Sequence, residues 1–218
     1  MNKEWSELNK TMQTQIKKRD TFKAGICSLF ELRNILMETV NSFKSELSVE
    51  EFCAIPFIDS DGYHSKTIAY SLWHIFRIED IVAHTLINSD EQVFFRYDYQ
   101  KRIGSPIITT GNELVKKQIA DFSKALDIDE LYSYISDVKE STENIIDKLT
   151  FDDIKRKITD ERKDILRSLN VVSSDENAVW LIDYWCGKDI RGLIQMPFSR
   201  HWIMHIEAAI RIRNKIHP

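Results

Sequence analysis

The amino-acid sequence predicts an all-α protein organised as one bundle of four main helices. Apolar residues recur at three- and four-residue steps over long stretches, which is the period of a helix buried on one face. Glycine and proline are scarce, at 6 and 4 of 218 residues, as expected for long helices with few tight turns. No pair of alternating stretches flanks a hairpin turn, and no internal repeat is present. We therefore treat residues 1–218 as a single domain.

The first predicted helical region covers residues 3–46 and is broken near Arg19–Thr21. We expect its first part to be an N-terminal extension and its second part to be the first helix of the bundle. Ser48–Glu51 has the capping-box pattern, which predicts a short helical turn. Residues 54–65 contain a proline, two aspartates and a glycine and are predicted to be a loop.

The second long helix is predicted over Thr67–Ile87. Its apolar residues cover most of the circumference between about 68 and 78, so it should lie centrally, with neighbours on several sides. His74 lies in the middle of this apolar half. Arg77 and Glu79 add polarity one turn later, and we expect them to form a surface ion pair rather than to face a pocket.

The region from residue 88 to residue 195 is predicted to contain shorter elements. Residues 88–111 form a long connection whose aromatic residues favour a packed flap over disorder. Helices are predicted over Asn112–Leu126 and Asp129–Leu149, and shorter helices separated by turns over Phe151–Asn170. Asp175–Gln195 begins with a residue suited to cap a helix and continues with an apolar helical run.

The last long helix is predicted over Ser199–Ile216, directly after Pro197. It carries His201 and His205, which are four residues apart and therefore lie about 40° apart on one helix face. Two imidazoles in this arrangement can chelate one divalent cation. The sequence of a helical metalloprotease has Glu after the first histidine, whereas Trp202 stands here, so that mechanism is not supported.

The other histidines and the tryptophans have simpler explanations. His64, His84 and His217 are expected to be solvent-facing or structural. A histidine on an apolar helix is more often a hydrogen-bonded core residue than a ligand, so the spacing alone leaves both readings of the pair open. The tryptophans at positions 73, 180, 185 and 202 either line a pocket or belong to the core, and aromatic residues at helical spacing favour the core.

The sequence resembles the DinB/YfiT-like metalloenzymes. The resemblance is carried by the segments SLWHIFRIEDIVAHTLI, EQVFFR and RHWIMHIEAAIRIRNKI. The family is a four-helix bundle with one ligating histidine in its second helix and a His-x-x-x-His pair in its last. The resemblance implies that His74, His201 and His205 bind a divalent metal ion, nickel or zinc, with coordination positions left open for water or substrate. The region before about Thr21 and the connection at 88–111 match the family less closely.

Two functions follow from this resemblance. The first is a metal-dependent transferase that joins a low-molecular-weight thiol to an electrophile, since a metal ion lowers the pKa of a bound thiol. The second is a non-catalytic helical protein that binds a metal or a ligand, or that serves in a stress response. The formal net charge of −4 and the lack of a basic recognition helix argue against a nucleic-acid partner.

The remaining composition favours a cytoplasmic protein. The three cysteines are far apart and odd in number, so reduced thiols are expected rather than a disulfide framework. The N-terminal residues lack the apolar core of a signal peptide, and no apolar run approaches the length that spans a bilayer. Helical bundles often pair through apolar faces, which makes a homodimer the expected assembly.

Overall fold

The structure is a computed structural model that describes residues 2–217. Its fold class agrees with the prediction from the sequence. The chain in this range is helical and contains no β-strand; an isolated antiparallel bridge joins Lys157 to Asp189. The all-α prediction is therefore confirmed.

The helices follow the order of the sequence predictions, with additional short helices in the connections. In residues 2–217 the α-helices are α1 (Lys3–Gln15), α2 (Phe22–Glu46), α3 (Val49–Phe52), α4 (Ile68–Asp80), α5 (Val93–Arg96), α6 (Tyr99–Ile103), α7 (Lys117–Ala125), α8 (Ile128–Asp147), α9 (Asp160–Ser168), α10 (Glu176–Cys186), α11 (Ile190–Gln195) and α12 (His201–Ile216). Two π-helical stretches, Ile81–Asn88 and Met196–Arg200, extend α4 and precede α12. Short 3₁₀ turns cover Arg19–Thr21 and Asp153–Lys155.

Four long helices pack on one another around the core. Helix α4 contacts α8 and α12, and α2 contacts the same two helices from the other side. All residues of α4 are buried, which confirms its predicted central position. The prediction of a surface ion pair between Arg77 and Glu79 is wrong, because both side chains are fully buried. Arg77 donates to the carbonyl oxygen of Ile108, and Glu79 accepts from Arg33. The helix is enclosed on every side, so its polar residues point into the protein rather than into water.

Helix α1 lies along α2 as an N-terminal extension, and the predicted break at Arg19–Thr21 is confirmed. The two helices approach most closely at Gly25. A Cβ atom at this position would lie 2.5 Å from Cγ2 of Ile16 and 2.8 Å from its backbone nitrogen. Glycine is therefore required here by the close approach of α1, which explains a helix-breaking residue inside the long helix α2.

Gly25→Ala is expected to lower the free energy of unfolding by about 1–3 kcal/mol, because the added methyl group forces α1 away from α2. Urea unfolding followed by circular dichroism measures the effect. Gly192→Ala is the matched control, since its Cβ would meet only the Lys188 side chain, at 3.1 Å. An equal loss in both variants would show that helix packing at Gly25 does not matter.

The structure corrects one predicted helix start and adds two short helices to a predicted connection. The helix predicted from Asn112 begins at Lys117, because Lys116 has a φ of +46°, outside the helical region. The connection at 88–111 contains α5 and α6, and it is packed as expected: Phe94 and Tyr99 are buried. Phe94 and Tyr99 therefore belong to the core, whereas Tyr97 is half exposed.

The final helical run is longer than predicted. It begins at Ile190 rather than Ser199 and continues through the π-helical stretch into α12. Pro197 lies inside this stretch, where its missing N–H removes an α-type hydrogen bond. The wider π-type turn accommodates this loss, and stretches of this kind often occur at functional sites. Here the stretch ends directly before His201.

Candidate metal centre

Three histidines from two helices meet inside the protein. The histidine cluster consists of His74 on α4 and of His201 and His205 on α12. One ring nitrogen from each lies within 4.8 Å of the others, and the ring centroids are separated by 4.5 to 5.1 Å. Ideal tetrahedral zinc coordination puts ligand nitrogens roughly 3.4 Å apart, so small side-chain rotations suffice to close the site. The structure thus brings together the three residues selected from the sequence.

The hydrogen bonds of the cluster leave several buried nitrogens without a partner. The Nδ1 atom of His74 lies 2.6 Å from the backbone carbonyl oxygen of Thr110, to which it donates. Its Nε2 atom is thereby left as the acceptor. Nδ1 of His201 and both ring nitrogens of His205 are buried and have no hydrogen-bond partner. Burying unpaired polar atoms is costly, and a cation bound between the rings would give one nitrogen of each ring a partner.

The protonation states suit metal coordination. Burial lowers the pKa of His74 to about 4, although the hydrogen bond to Thr110 opposes the shift. Burial and the neighbouring imidazoles also hold the pKa values of His201 and His205 well below their usual range. All three rings are therefore neutral near pH 7, which is the state that binds a metal ion.

The orientation of His74 depends on the chain segment at 108–111. Three side chains of α4 donate hydrogen bonds to its carbonyl oxygens. The hydroxyl of Tyr70 binds Gly111 at 2.9 Å, His74 binds Thr110, and Nε of Arg77 binds Ile108 at 2.9 Å. The Tyr70 ring also stacks on the imidazole of His74, with centroids 5.4 Å apart. A histidine ligand usually donates its second ring N–H to a carbonyl or carboxylate, and this segment supplies that acceptor.

The orientation of α12 depends on a buried ion-pair network that Trp202 joins through its indole N–H. The indole N–H of Trp202 donates to Glu79 at 2.8 Å, and Glu79 forms two hydrogen bonds with Arg33, at 2.7 and 2.9 Å. Arg33 also donates to the carbonyl oxygen of Phe198 in the π-helical stretch, at 3.2 Å. Because Trp202 lies between the two histidines of α12, this network holds the helix in its rotational position.

The cluster lies at one side of a cavity of about 500 Å³. Most of the wall is apolar or aromatic. The residues beside the histidine cluster are Gly62, Tyr63, Lys66, Tyr70, Ile78, Asn112, Trp180, Leu181, Tyr184, Trp185, Met196 and Pro197. Trp180 is half exposed, whereas Trp73 and Trp202 are core residues without access to the cavity. Trp180 and Trp185 therefore line the cavity, and Trp185 also belongs to the core together with Trp73 and Trp202.

The other three histidines lie outside the cluster, as predicted. His64 packs against Phe57, and His217 lies 2.8 Å from Glu51. His84 is buried and lies between Asp90, at 2.7 Å, and the hydroxyl of Ser141, at 3.0 Å.

The chain of contacts through His84 has the order Ser–His–Asp that serine hydrolases use. Ser141 lies within the long helix α8, where the backbone N–H groups are engaged in helical hydrogen bonds. No backbone N–H pair is therefore left to form an oxyanion hole beside this hydroxyl. The contacts instead connect the π-helical stretch after α4 to α8, which is a structural role.

Sequence reasoning missed the contributions of the connecting segments. Tyr63, Lys66, Thr110 and Asn112 lie outside the helices or directly before one, where no periodicity marks which side chain faces inward. Tyr63 contacts the ring of His205 edge to face, at 4.8 Å. The one available signal was the length of the 88–111 connection, since long connections often carry functional residues.

The structure defines an all-helical protein with a buried three-histidine cluster that can hold a metal ion beside an open cavity. In the described residues, no helix is both long enough and apolar enough to pass through a membrane. The sequence matches no protein-family model, and a search of curated proteins finds no match.

Proposed function

We propose that this chain is a DinB-like metalloprotein in which α2, α4, α8 and α12 form the four-helix bundle. In this proposal the histidine cluster binds one divalent ion, nickel or zinc. The observation that carries the proposal is the convergence of three buried imidazoles, each with one ring nitrogen within 4.8 Å of the others. Three neutral imidazoles occupy three coordination positions and leave at least one open, which is the arrangement of catalytic rather than structural sites.

We further propose that the reaction is the transfer of a low-molecular-weight thiol to an electrophile. A bound divalent ion would supply the Lewis acidity that lowers the pKa of a thiol. The cavity wall contains no Asp, Glu, Cys or Ser. A thiol has a pKa of about 8.5, far below that of water, so its activation needs no carboxylate base. The apolar wall would exclude water and hold the electrophile against the sulfur atom.

A panel assay tests the reaction. Purified protein is supplied with nickel, zinc or manganese and incubated with pairs of thiols and electrophiles, and loss of free thiol is followed. We expect at least one pair to react faster than in the control without protein. If no pair does so with any metal, the transferase proposal is wrong.

The same cavity supports a second candidate, a helical protein that binds a metal or ligand without catalysis. The observation that favours it is the lack of a carboxylate or thiol among the cavity residues. Stoichiometric metal binding without turnover in the panel would support this candidate.

A homodimer and a cytoplasmic location stay predictions from the sequence, and analytical ultracentrifugation tests the first.

Zinc is expected to stabilise the protein against heat. A ligand that binds only the folded state adds about 2.7 kcal/mol at a hundred times its Kd, which shifts the Tm upward by several degrees. Differential scanning calorimetry before and after removal of metal with a chelator measures the shift, and magnesium serves as the control because imidazole binds it poorly. The same Tm with and without zinc would contradict a metal site in the folded protein.

A further inference from the structure

The cavity contains one lysine, and its ammonium group has no carboxylate partner. Lys66 lies directly before Thr67, the N-cap of α4, and is partly buried. In residues 2–217 no Asp or Glu oxygen comes within ion-pair distance of its ammonium group; its recorded contact is with the Tyr70 ring, 5.5 Å from the centroid. Burial lowers the pKa of Lys66, and its charge also acts to lower the pKa values of His74 and His205. Lys66 and the three histidines line the same cavity.

An unpartnered amide lies in the same cavity. The Oδ1 atom of Asn112 is buried and has no hydrogen-bond partner, although the residue lines the cavity. Its neighbour Gly111 is held by the hydroxyl of Tyr70, which fixes the backbone at this point. The unpartnered Oδ1 atom is an acceptor, whereas the Nδ2 amino group of the same amide can donate to an anionic ligand in the cavity.

Aromatic side chains surround these two polar groups. The aromatic wall, formed by Trp180, Tyr184 and Trp185 of α10, lines the cavity. Burial and, to a smaller extent, the nearby Glu113 raise the pKa of Tyr70. Glu113 accepts a hydrogen bond from the Thr109 hydroxyl and does not line the cavity. A cationic ligand would meet Lys66 without a balancing carboxylate. The cavity therefore favours a ligand with one anionic group and a flat apolar body.

We propose that the cavity binds a small monoanionic carboxylate with an aromatic body, which accepts hydrogen bonds from the Lys66 ammonium and the Asn112 Nδ2 amino group and packs against the aromatic wall. The proposal extends the proposed function, because it assigns a chemical class to the molecule that is presented to the histidine cluster. One cation and one amide match a single carboxylate, whereas a dianionic phosphate usually takes several cations or backbone N–H groups.

Benzoate and benzamide test this assignment, since they have nearly the same shape and differ in charge. Both are titrated into the 218-residue protein after metal has been removed with a chelator, so that the carboxylate cannot bind a metal ion. Binding is followed by tryptophan fluorescence and by ligand-observed NMR. We expect benzoate to bind about tenfold more tightly than benzamide, the ratio expected for one charge-assisted hydrogen bond in a partly buried site.

Variants of Lys66 test whether its charge causes the preference for benzoate over benzamide. Lys66→Met should bring the two affinities within about twofold of each other, and Lys66→Arg should retain most of the preference. Lys188→Met is the matched control, because Lys188 also lies over a cavity tyrosine, 4.1 Å from the Tyr184 ring centroid, but does not line the cavity. This control should bind both probes as the unmodified protein does. Circular dichroism of each variant verifies that it is folded.

Several outcomes would overturn the assignment. These are equal binding of the two probes, no binding of either, an unchanged preference in Lys66→Met, or tighter binding of phenyl phosphate than of benzoate. Metal content is measured separately on untreated protein. Metal binding without a benzoate preference would remove only this inference, whereas a benzoate preference in a protein that binds no metal would remove only the proposed metal function.

Discussion

Replacing His74, His201 or His205 with alanine is expected to abolish stoichiometric metal binding, with at least about a hundredfold loss of affinity for each change. Changes in residues that merely support a ligand already cost 10- to 100-fold, so loss of a ligand should cost no less. The reason is geometric: the cluster offers three nitrogens within 4.8 Å of one another, and two imidazoles remain after any single change. Elemental analysis of the purified variants and zinc titration with a chromogenic competitor measure the loss.

His84→Ala is the matched control for these variants. His84 is as buried as the three cluster residues, and its ring contacts Asp90 and Ser141 instead. This change should lower stability and leave the metal-to-protein ratio of the folded fraction unchanged. If the three cluster variants keep their metal, or if His84→Ala loses it to the same extent, the cluster is not the metal site.

Glu79→Ala is expected to lower the free energy of unfolding by about 3–5 kcal/mol, the usual cost of removing one partner from a buried ion pair. The change leaves the Arg33 guanidinium with Glu143 as its remaining carboxylate and removes the acceptor of the Trp202 indole. Both side chains of the pair are completely buried, so water cannot replace the lost partner. Urea unfolding monitored by tryptophan fluorescence measures the loss.

Two further variants test whether the loss of stability in Glu79→Ala arises from burial of the ion pair and from the charge left unpaired. Asp152→Ala breaks an exposed pair with Arg19 that has nearly the same 2.8 Å geometry, and it should have a far smaller effect because water solvates the freed charges. The double change Arg33→Met with Glu79→Leu should be less destabilising than Glu79→Ala, since it leaves no unpaired guanidinium. A similar loss for the exposed pair, or a larger loss for the double variant, would contradict this account.

The connecting segments show why part of the candidate site could not be predicted. The Thr110 carbonyl that orients His74 is a backbone group, so no side-chain pattern identifies it. Lys66 and Asn112 reach the cavity through turns whose path depends on how α4 and α7 pack. The start of α7 was misplaced by five residues for the same reason, because the positive φ of Lys116 is imposed by the surrounding chain.

The sequence by itself determined the helical fold class and the pairing of His201 with His205, because both follow from the fixed period of the α-helix. It also marked the helix that contributes His74 as central, since an apolar surface all round must be covered. Only the tertiary structure decided that Arg77 and Glu79 are buried with separate partners, and that an unpaired lysine and an aromatic wall share the cavity. Local periodicity reports which face of a helix is buried, whereas the partner that covers that face depends on residues far away in the chain.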